Sequence, residues 1–242
     1  MPLLLWVLFF CSFITFAYAM VTIIHSSNYK IKLILKTQLS PEKYLMQQDK
    51  KLRALIMFFG ESSFKVEKRQ PFDALARAVI GQQLSTSAAQ SITQKIVSVH
   101  GKRPFKPEIF LAIDEVTLRG CGISGGKIKA IYGVAKACLL NELTIKSFKS
   151  LDDKQALDKL TSYWGIGNWT AEIFMMFTLK RMDVLALGDV GLQRAHSILY
   201  PESNSLEETA EKWRPYRAIA AGYLWKFLDN PETHDQIFSK LK

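Results

Sequence analysis

The sequence predicts an all-α fold in which two helical lobes form one interwoven unit. Three observations support this class. Apolar residues recur at helical spacing through most of the 242 residues; proline, serine and glycine stand where helices would begin or end; and no credible set of alternating strands follows residue 40. The pattern predicts about ten helices.

The first helix signals follow a short segment of a different kind. Residues 29–36, with the sequence YKIKLILK, alternate polar and apolar side chains and predict a strand or an extended arm. Ser40 and Pro41 then fit the N-cap and the first position of a helix, because proline lacks the N–H that the first turn cannot use.

The central part of the chain reads as successive helices with marked ends. Pro71 predicts a helix start, and the LSTS run at 84–87 predicts a break before the next helix, which should end at Gly101. Residues 107–120 predict a single helix with a glycine stop. The run GCGISGGK at 120–127 predicts a glycine-rich turn, followed by another helix.

The last long helix is predicted near the C-terminus, with Pro215 at its start. An apolar stripe at helical spacing defines its buried face. The stripe consists of Tyr216, Ile219, Ala220, Tyr223, Leu224 and Phe227.

The charge balance points towards a polyanionic partner. Lys and Arg total 32 against 22 for Asp and Glu, which gives a formal charge of +10. Nucleic acid is the first candidate for a domain this basic.

The three cysteines, Cys11, Cys121 and Cys138, form no C-x-x-C pair. This argues against a zinc knuckle or an iron–sulfur cluster and favours a reducing compartment.

The N-terminal residues leave three interpretations open. No charged side chain occurs from Pro2 to Ile24, so this segment could anchor the protein in a membrane. The run Ala17-Tyr18-Ala19 fits a signal-peptide cleavage site, although no basic residue precedes the apolar run. The third interpretation is that translation begins at Met20. We therefore treat residues 1–28 as a separate apolar segment and 29–242 as one domain.

Two glycines interrupt the apolar run LTSYWGIGNWTAEIF, and they predict a hairpin between two helices. Gly165 and Gly167 allow positive φ and close backbone approach around Ile166. The helix after the hairpin would direct unpaired N–H groups outward, where an anion such as phosphate is the natural ligand. An ordinary helix–turn–helix connection is the alternative.

Asp189 follows an apolar stretch and precedes a helical run, which predicts an N-cap. A capping carboxylate at the mouth of a cleft can also stabilise positive charge, so the two roles are compatible. Asp183 is the competing carboxylate, six residues earlier.

Three ordered segments resemble the helix-hairpin-helix DNA glycosylases, and most closely the DNA-3-methyladenine glycosylase II type. They are FDALARAVIGQQLSTSAAQSI, the hairpin run with the later GDVGL, and EKWRPYRAIAAGYLWKFL. The similarity covers roughly residues 42–230. It implies two helical lobes with the active-site cleft between them.

The resemblance assigns DNA-binding roles to the hairpin and to one interhelical bend. Gly165, Ile166, Gly167 and Thr170 would grip a DNA phosphate, and hairpin carbonyls would hold a monovalent cation, without metal-binding side chains. The bend at Gln82 and Gln83 would fill the gap left by a flipped base. Gln83 is the first candidate for this wedge and Leu84 the second. Trp164 replaces the proline usual before the first hairpin glycine.

The resemblance also assigns the chemistry. Asp189 would be the catalytic carboxylate, and Trp169 and Trp225 would line the pocket for an electron-poor alkylated base. Bifunctional relatives carry a lysine nucleophile at the position of Trp169, so a purely hydrolytic enzyme is expected. A further pocket aromatic of some relatives corresponds to Ile173.

The resulting expectation is a base-excision glycosylase for 3-methyladenine and 7-methylguanine in double-stranded DNA, monomeric, without an obligate protein partner, and cytoplasmic or nucleoid-associated. A glycosylase for another damaged base, a non-catalytic DNA-binding module and a membrane-anchored helical protein remain as alternatives. Lys127, Lys129 and Arg194 are candidates for further phosphate contacts.

Overall fold

The computed structural model describes residues 39–61, 70–101, 103–203 and 205–241. All regular elements within these ranges are helical, which confirms the predicted class. The strand expected at 29–36 and the apolar segment 1–28 lie outside the described residues. No helix within the described ranges has both the length and the apolar character needed to cross a membrane.

The described residues form thirteen α-helices, named here in chain order. They are α1 (Pro41–Gln48), α2 (Lys50–Phe59), α3 (Pro71–Gly81), α4 (Thr86–His100), α5 (Pro107–Ala112), α6 (Glu115–Gly120), α7 (Gly125–Leu139), α8 (Asp153–Thr161), α9 (Asn168–Phe177), α10 (Val190–Leu199), α11 (Leu206–Glu211), α12 (Arg217–Asp229) and α13 (His234–Ser239). Short 3₁₀ helices occupy Lys146–Phe148 and Pro231–Thr233.

The helices pack as two lobes, and the chain leaves the second lobe to form the first and then returns to it. In the first lobe, α3 packs against α4, α7 and α9, and α7 also contacts α5 and α6. In the second lobe, α12 packs against α10 and also against α1 and α2 from the start of the domain. The N-terminal and C-terminal helices therefore share one lobe, as the prediction of an interwoven unit requires.

Capping residues define several helix ends where the sequence predicted them. Ser40 caps α1 by accepting a hydrogen bond from Lys43 N, with Pro41 in the first turn. Pro71 starts α3, and Gly101 ends α4 with a φ of 94°, a left-handed conformation that favours glycine.

The single helix predicted over 107–120 is wrong, because the chain forms α5 and α6 there instead. Asp114 is the cause: its side chain accepts hydrogen bonds from Thr117 N at 2.9 Å and Thr117 Oγ1 at 2.7 Å. An aspartate that caps a new helix competes with continuation of the preceding one. The glycine-rich turn is also shorter than predicted, since Ser124 caps α7 and Gly125 already belongs to it.

The start of α12 also differs from the prediction. Tyr216 is its N-cap and the helix begins at Arg217, two residues after Pro215. Tyr216 has a φ of −120° and a ψ of 33°, which are not helical, so the helix has not begun at Pro215. In the first turn, Ala218 N donates to the carbonyl of Met182. The predicted apolar stripe is buried apart from Tyr216, which is half-buried.

Asp49 joins helices that are distant in the sequence. Its side chain is only 2% exposed and caps α2 by accepting from Lys51 N. Its second oxygen accepts from Tyr200 Oη at 2.9 Å and Trp213 Nε1 at 2.8 Å, and Lys212 Nζ lies 3.0 Å away. Burial opposes ionisation, but the hydrogen bonds from Trp213 and Lys212 outweigh it and lower the pKa of Asp49.

We predict that Asp49→Asn lowers the free energy of unfolding by about 2–4 kcal/mol, because an amide nitrogen would face the donors that now reach Oδ2. Urea denaturation at neutral pH measures this loss. Asp152→Asn is the matched control: Asp152 also caps a helix but is exposed, and asparagine caps about as well as aspartate. Equal losses in the two variants would show that the buried junction adds nothing beyond capping.

Glu172 on α9 is partly buried and has no hydrogen-bond or ion-pair partner among the described residues. Burial raises its pKa from 4.5 to about 7. A raised acid pKa in the folded state means that the associated stability is present below pH 4.5 and is lost as the pH rises through about 7.

Glu172→Gln should therefore be more stable than the wild type above about pH 7, with the difference shrinking towards pH 4.5. Urea unfolding of both proteins across this range measures the difference. Curves that run parallel at all pH values would contradict the assigned cause.

Candidate active site

The predicted hairpin lies between α8 and α9. Different structural features explain why glycine stands at each of its two glycine positions. Gly165 has a φ of +81°, and a Cβ at this position would lie 2.5 Å from the Cβ of Ala130 on α7. Gly167 is the N-cap of α9 with a φ of −87°, and the space where its Cβ would stand is open. Only Gly165 is therefore required by the fold; Gly167 leaves room for a ligand.

Between Gly165 and Gly167 the hairpin presents backbone rather than side chains. Ile166 is 4% exposed and Thr170 1%, so both side chains belong to the core. The first N–H of α9 with a backbone acceptor is that of Ala171, which donates to Gly167 O. The preceding N–H groups of the first turn, from Asn168 to Thr170, are the donors that such a helix start offers to an anion.

Gln82 links the bend after α3 to this hairpin. Its Nε2 donates to Gly165 O at 3.0 Å and to Thr170 Oγ1 at 2.9 Å. Lys127 fixes the same bend from α7, because its Nζ donates to the carbonyls of Ile80 and Gln82, both at 2.8 Å. Burial lowers the pKa of Lys127. Lys127 thus caps α3, whereas the sequence suggested a phosphate contact.

Gln83 and Leu84 form the outer edge of the bend. Gln83 has a φ of 57°, and its side chain is exposed. Leu84 is 39% exposed. Both residues line the cleft that also contains Asp189.

Asp189 caps α10, as predicted, and its carboxylate has two further donors. Its Oδ1 accepts from Leu192 N at 2.7 Å and from Trp225 Nε1 at 3.1 Å. Its Oδ2 accepts from Trp169 Nε1 at 2.7 Å. A carboxylate has about four acceptor positions, so one on Oδ2 is left for a ligand. The three donors fix the orientation of the group.

Gly191 packs closely beside this carboxylate. A Cβ at this position would lie 3.2 Å from Asp189 Oδ1 and 3.4 Å from Leu228 Cδ2. A side chain there would require these neighbouring atoms to shift by a few tenths of an ångström. The close spacing of the two residues in the GDVGL run was visible in the sequence, but their contact was not.

A cleft of about 750 Å³ lies between the two lobes, with Asp189 in its wall. The first lobe contributes residues of the bend and of the start of α9, and the second contributes the start of α10 and one face of α12. The lining residues are Gly81, Gln82, Gln83, Leu84, Ser85, Gly167, Trp169, Thr170, Gly188, Asp189, Val190, Gly191, Trp225, Leu228 and Asp229. The structure thus brings together Asp189, both predicted pocket tryptophans and the predicted wedge.

Two residues of the cleft were missed in the sequence. Leu228 and Asp229 follow Trp225 on α12 by three and four positions, so they share its helix face. That spacing was the available signal. Asp229 is exposed, and Leu228 is half-buried. Among the described residues, the lining contains no lysine, arginine, histidine or cysteine.

The two tryptophans lie on opposite lobes and direct their indole N–H groups at the same carboxylate. Trp225 also packs against Phe177, with ring centroids 5.8 Å apart. The sequence predicted both as stacking surfaces for a base. The hydrogen bonds to Asp189 give them an additional use that the sequence did not reveal.

Asp183, the competing carboxylate, is paired with two arginines outside the cleft. It accepts from Arg214 Nη1 at 2.6 Å and from Arg217 Nε at 2.8 Å, and it does not line the cleft. Arg194 is exposed on α10. Lys129 lies over the ring of Trp164, 4.5 Å from its centre.

The described residues contain no cluster of His, Cys, Asp and Glu suited to a metal ion. Backbone carbonyls of the hairpin are a second kind of oxygen atom that could bind a cation. Tyr163 O already accepts from Ile166 N, and Gly165 O from Gln82. The carbonyls of Trp164 and Ile166 accept no hydrogen bond from the described residues, so they fit the oxygen ligands that a monovalent cation would take.

Known proteins resemble this chain in sequence and in fold. DNA-3-methyladenine glycosylase 1 of Schizosaccharomyces pombe is 30% identical over 194 residues, covering 76% of this chain and 85% of its own. The solved structure of the 3-methyladenine DNA glycosylase of the same yeast, in complex with abasic DNA, has a TM-score of 0.70 and 29% identity, covering 78% of this chain and 96% of its own.

A DNA-3-methyladenine glycosidase from Bacillus halodurans is similarly close, with a TM-score of 0.69 and 33% identity over 82% of this chain and 93% of its own. The model of the HhH-GPD superfamily base excision DNA repair protein matches residues 76–216, which is more than half of the chain and includes the hairpin and Asp189. The chain therefore belongs to the HhH-GPD superfamily of base excision DNA repair proteins.

Proposed function

We propose that the protein is a DNA glycosylase that hydrolyses the N-glycosidic bond of alkylated purines of the 3-methyladenine and 7-methylguanine class. The observation that carries the proposal is the carboxylate of Asp189, held by three N–H donors in a cleft between two indole rings. The names of the similar glycosylases from yeast and Bacillus support the same reaction.

Double-stranded DNA is the substrate, and the hairpin is its first contact. The N–H groups at the start of α9 would bind a phosphate, and the open space at Gly167 allows the DNA backbone to approach. The buried side chains of Ile166 and Thr170 support this contact from inside the protein. Carbonyls of Trp164 and Ile166 would hold a monovalent cation, which offsets phosphate charge.

The base must leave the helix stack before the cleft can receive it. Gln83 and Leu84 are exposed at the edge of the cleft, where they would fill the space left in the duplex. Gln82 contributes indirectly, because its side chain holds the bend against the hairpin. A duplex bound at the hairpin is thereby presented to the wedge.

The flipped base would lie against Trp169 and Trp225. An N-alkylated purine such as 7-methylguanine carries positive charge, and a cation over an indole face gains about 1–2 kcal/mol once desolvated. The cleft volume of about 750 Å³ is within the range of small-molecule sites and admits a purine nucleotide.

Breaking the bond between C1′ and the base nitrogen leaves the electron pair on the departing base and positive charge on the sugar. The free acceptor position of Asp189 Oδ2 would face that charge and orient a water molecule. Addition of the water oxygen to C1′, with loss of its proton, gives an abasic site and the free base. The protein would act as a monomer without an obligate protein partner.

Asp189→Asn should abolish release of 3-methyladenine and 7-methylguanine from methylated DNA while retaining DNA binding. Asparagine can still cap α10 through its Oδ1, although its Nδ2 would then face Trp169 Nε1, so urea unfolding checks that the variant is folded. Asparagine has no charge to offer the sugar. Chromatography of released bases measures activity, and fluorescence anisotropy with an abasic duplex measures binding. We expect a loss of activity of at least about a hundredfold.

Asp229→Asn is the matched control, because Asp229 lines the same cleft but is exposed and does not bond the indoles. It should keep most of the activity. Normal turnover by Asp189→Asn would remove Asp189 from the mechanism. Intact DNA binding without base release by the wild type would instead favour a non-catalytic binding module or another damaged base.

We further predict that the enzyme does not cleave the DNA strand, because Trp169 takes the position of the lysine nucleophile and no lysine is found among the described residues that line the cleft. Reaction products should remain intact on denaturing gels until heated in alkali. Borohydride added during turnover should trap no protein–DNA adduct. A covalent complex would contradict the monofunctional assignment.

A further inference from the structure

A second cleft, of about 570 Å³, lies on the other side of Trp164. We call it the α7 groove and define it by Lys129, Tyr132 and Lys136 of α7 together with Tyr163 and Trp164 of the hairpin. None of these five residues lines the cleft that contains Asp189. The α7 groove therefore has no part in the proposed base release. Its composition indicates that it binds something other than the flipped base.

The charges of the groove are unbalanced. Arg119 at its edge is paired with Glu115 at 2.6 Å. Lys129 and Lys136 are exposed and have no carboxylate partner among the described residues. They are seven positions apart on α7, which corresponds to about 10.5 Å along the helix. Two flexible lysine side chains at this spacing can reach different phosphates of one DNA strand.

The walls of the groove are aromatic and fixed. Tyr132 and Tyr163 donate their hydroxyl groups to the carbonyl of Ile113 and to Glu142. The Trp164 side chain is 57% exposed, although burial of an indole would be favourable. Aromatic rings next to free amines are a recurring surface for sugars, bases and phosphates of nucleic acids.

The groove is continuous with the hairpin, since Trp164 directly precedes Gly165. We propose that the α7 groove binds the sugar–phosphate backbone of the same DNA duplex, on the part of the strand next to the phosphate at the hairpin. Lys129 and Lys136 contact phosphates, and the exposed part of the Trp164 ring that Lys129 does not cover packs against a sugar. This inference rests on the proposed binding of DNA but not on the proposed base release.

The test is a double charge reversal, Lys129→Glu with Lys136→Glu, in the full chain. Lys50→Glu is the control, because Lys50 is exposed, starts α2 and lies outside both clefts. Affinity for an undamaged duplex of about two helical turns is measured by anisotropy at several salt concentrations. The double variant should bind about tenfold more weakly, and its salt slope should fall by nearly two units, about 0.9 for each lost phosphate contact.

Duplexes shortened from either end in turn locate the contact. Removal of a few base pairs from one end should weaken the wild type and leave the double variant unaffected, so that the two proteins converge. The rate of base release at saturating protein should be the same for both, because neither lysine is near Asp189.

Unchanged affinity and salt slope in the double variant, with weaker binding after substitution of Gly167, would overturn the groove while leaving the hairpin and the glycosylase proposal in place. A loss of binding free energy in Lys50→Glu that is half that of the double variant would also overturn it, because Lys50→Glu changes the net charge by half as much and the effect would then reflect overall charge. A wild type that binds the duplex with the predicted lysine dependence but releases no base would support the groove and contradict the proposed function.

Discussion

The hydrogen bonding of one carboxylate imposes the main constraint on this structure. Asp189 must cap α10 and also keep an oxygen open to the cleft, and these demands are met by dividing three N–H donors between its two oxygens. Trp169 comes from one lobe and Trp225 from the other, so the carboxylate joins the lobes at the cleft. A movement of the lobes away from each other would lengthen the bond from Trp169 or the bond from Trp225.

The backbone contact at Gly165 supports the same arrangement. The hairpin packs so tightly on Ala130 that a single methyl group at residue 165 would collide with α7. This contact sets the position at which α9 begins, and Trp169 lies in the first turn of that helix. The tight approach of backbone to helix therefore determines where one of the donors to Asp189 stands.

The features that could be predicted from the sequence have their causes within a few residues. Ser40 and Asp189 are local signals, because a capping side chain bonds to a backbone N–H only three positions away. The hairpin glycines are local signals as well. Asp114 was such a signal too, but a favourable apolar pattern on both sides concealed it. Three other contacts depend on partners far along the chain. They are the bonds from Gln82 to the hairpin, the capping of α3 by Lys127 and the burial of Asp49 against Trp213. No periodicity encodes these partners, so the sequence showed the residues but not their contacts.

The bend at residues 81–85 is held from both sides, by Gln82 on the hairpin and Lys127 on the carbonyls of the bend. A free loop would lose about 1–2 kcal/mol of conformational entropy for each residue that became ordered on binding. Here that entropy is already lost when the protein folds. The bend is thus preorganised, and the free energy of DNA binding remains available for distorting the duplex.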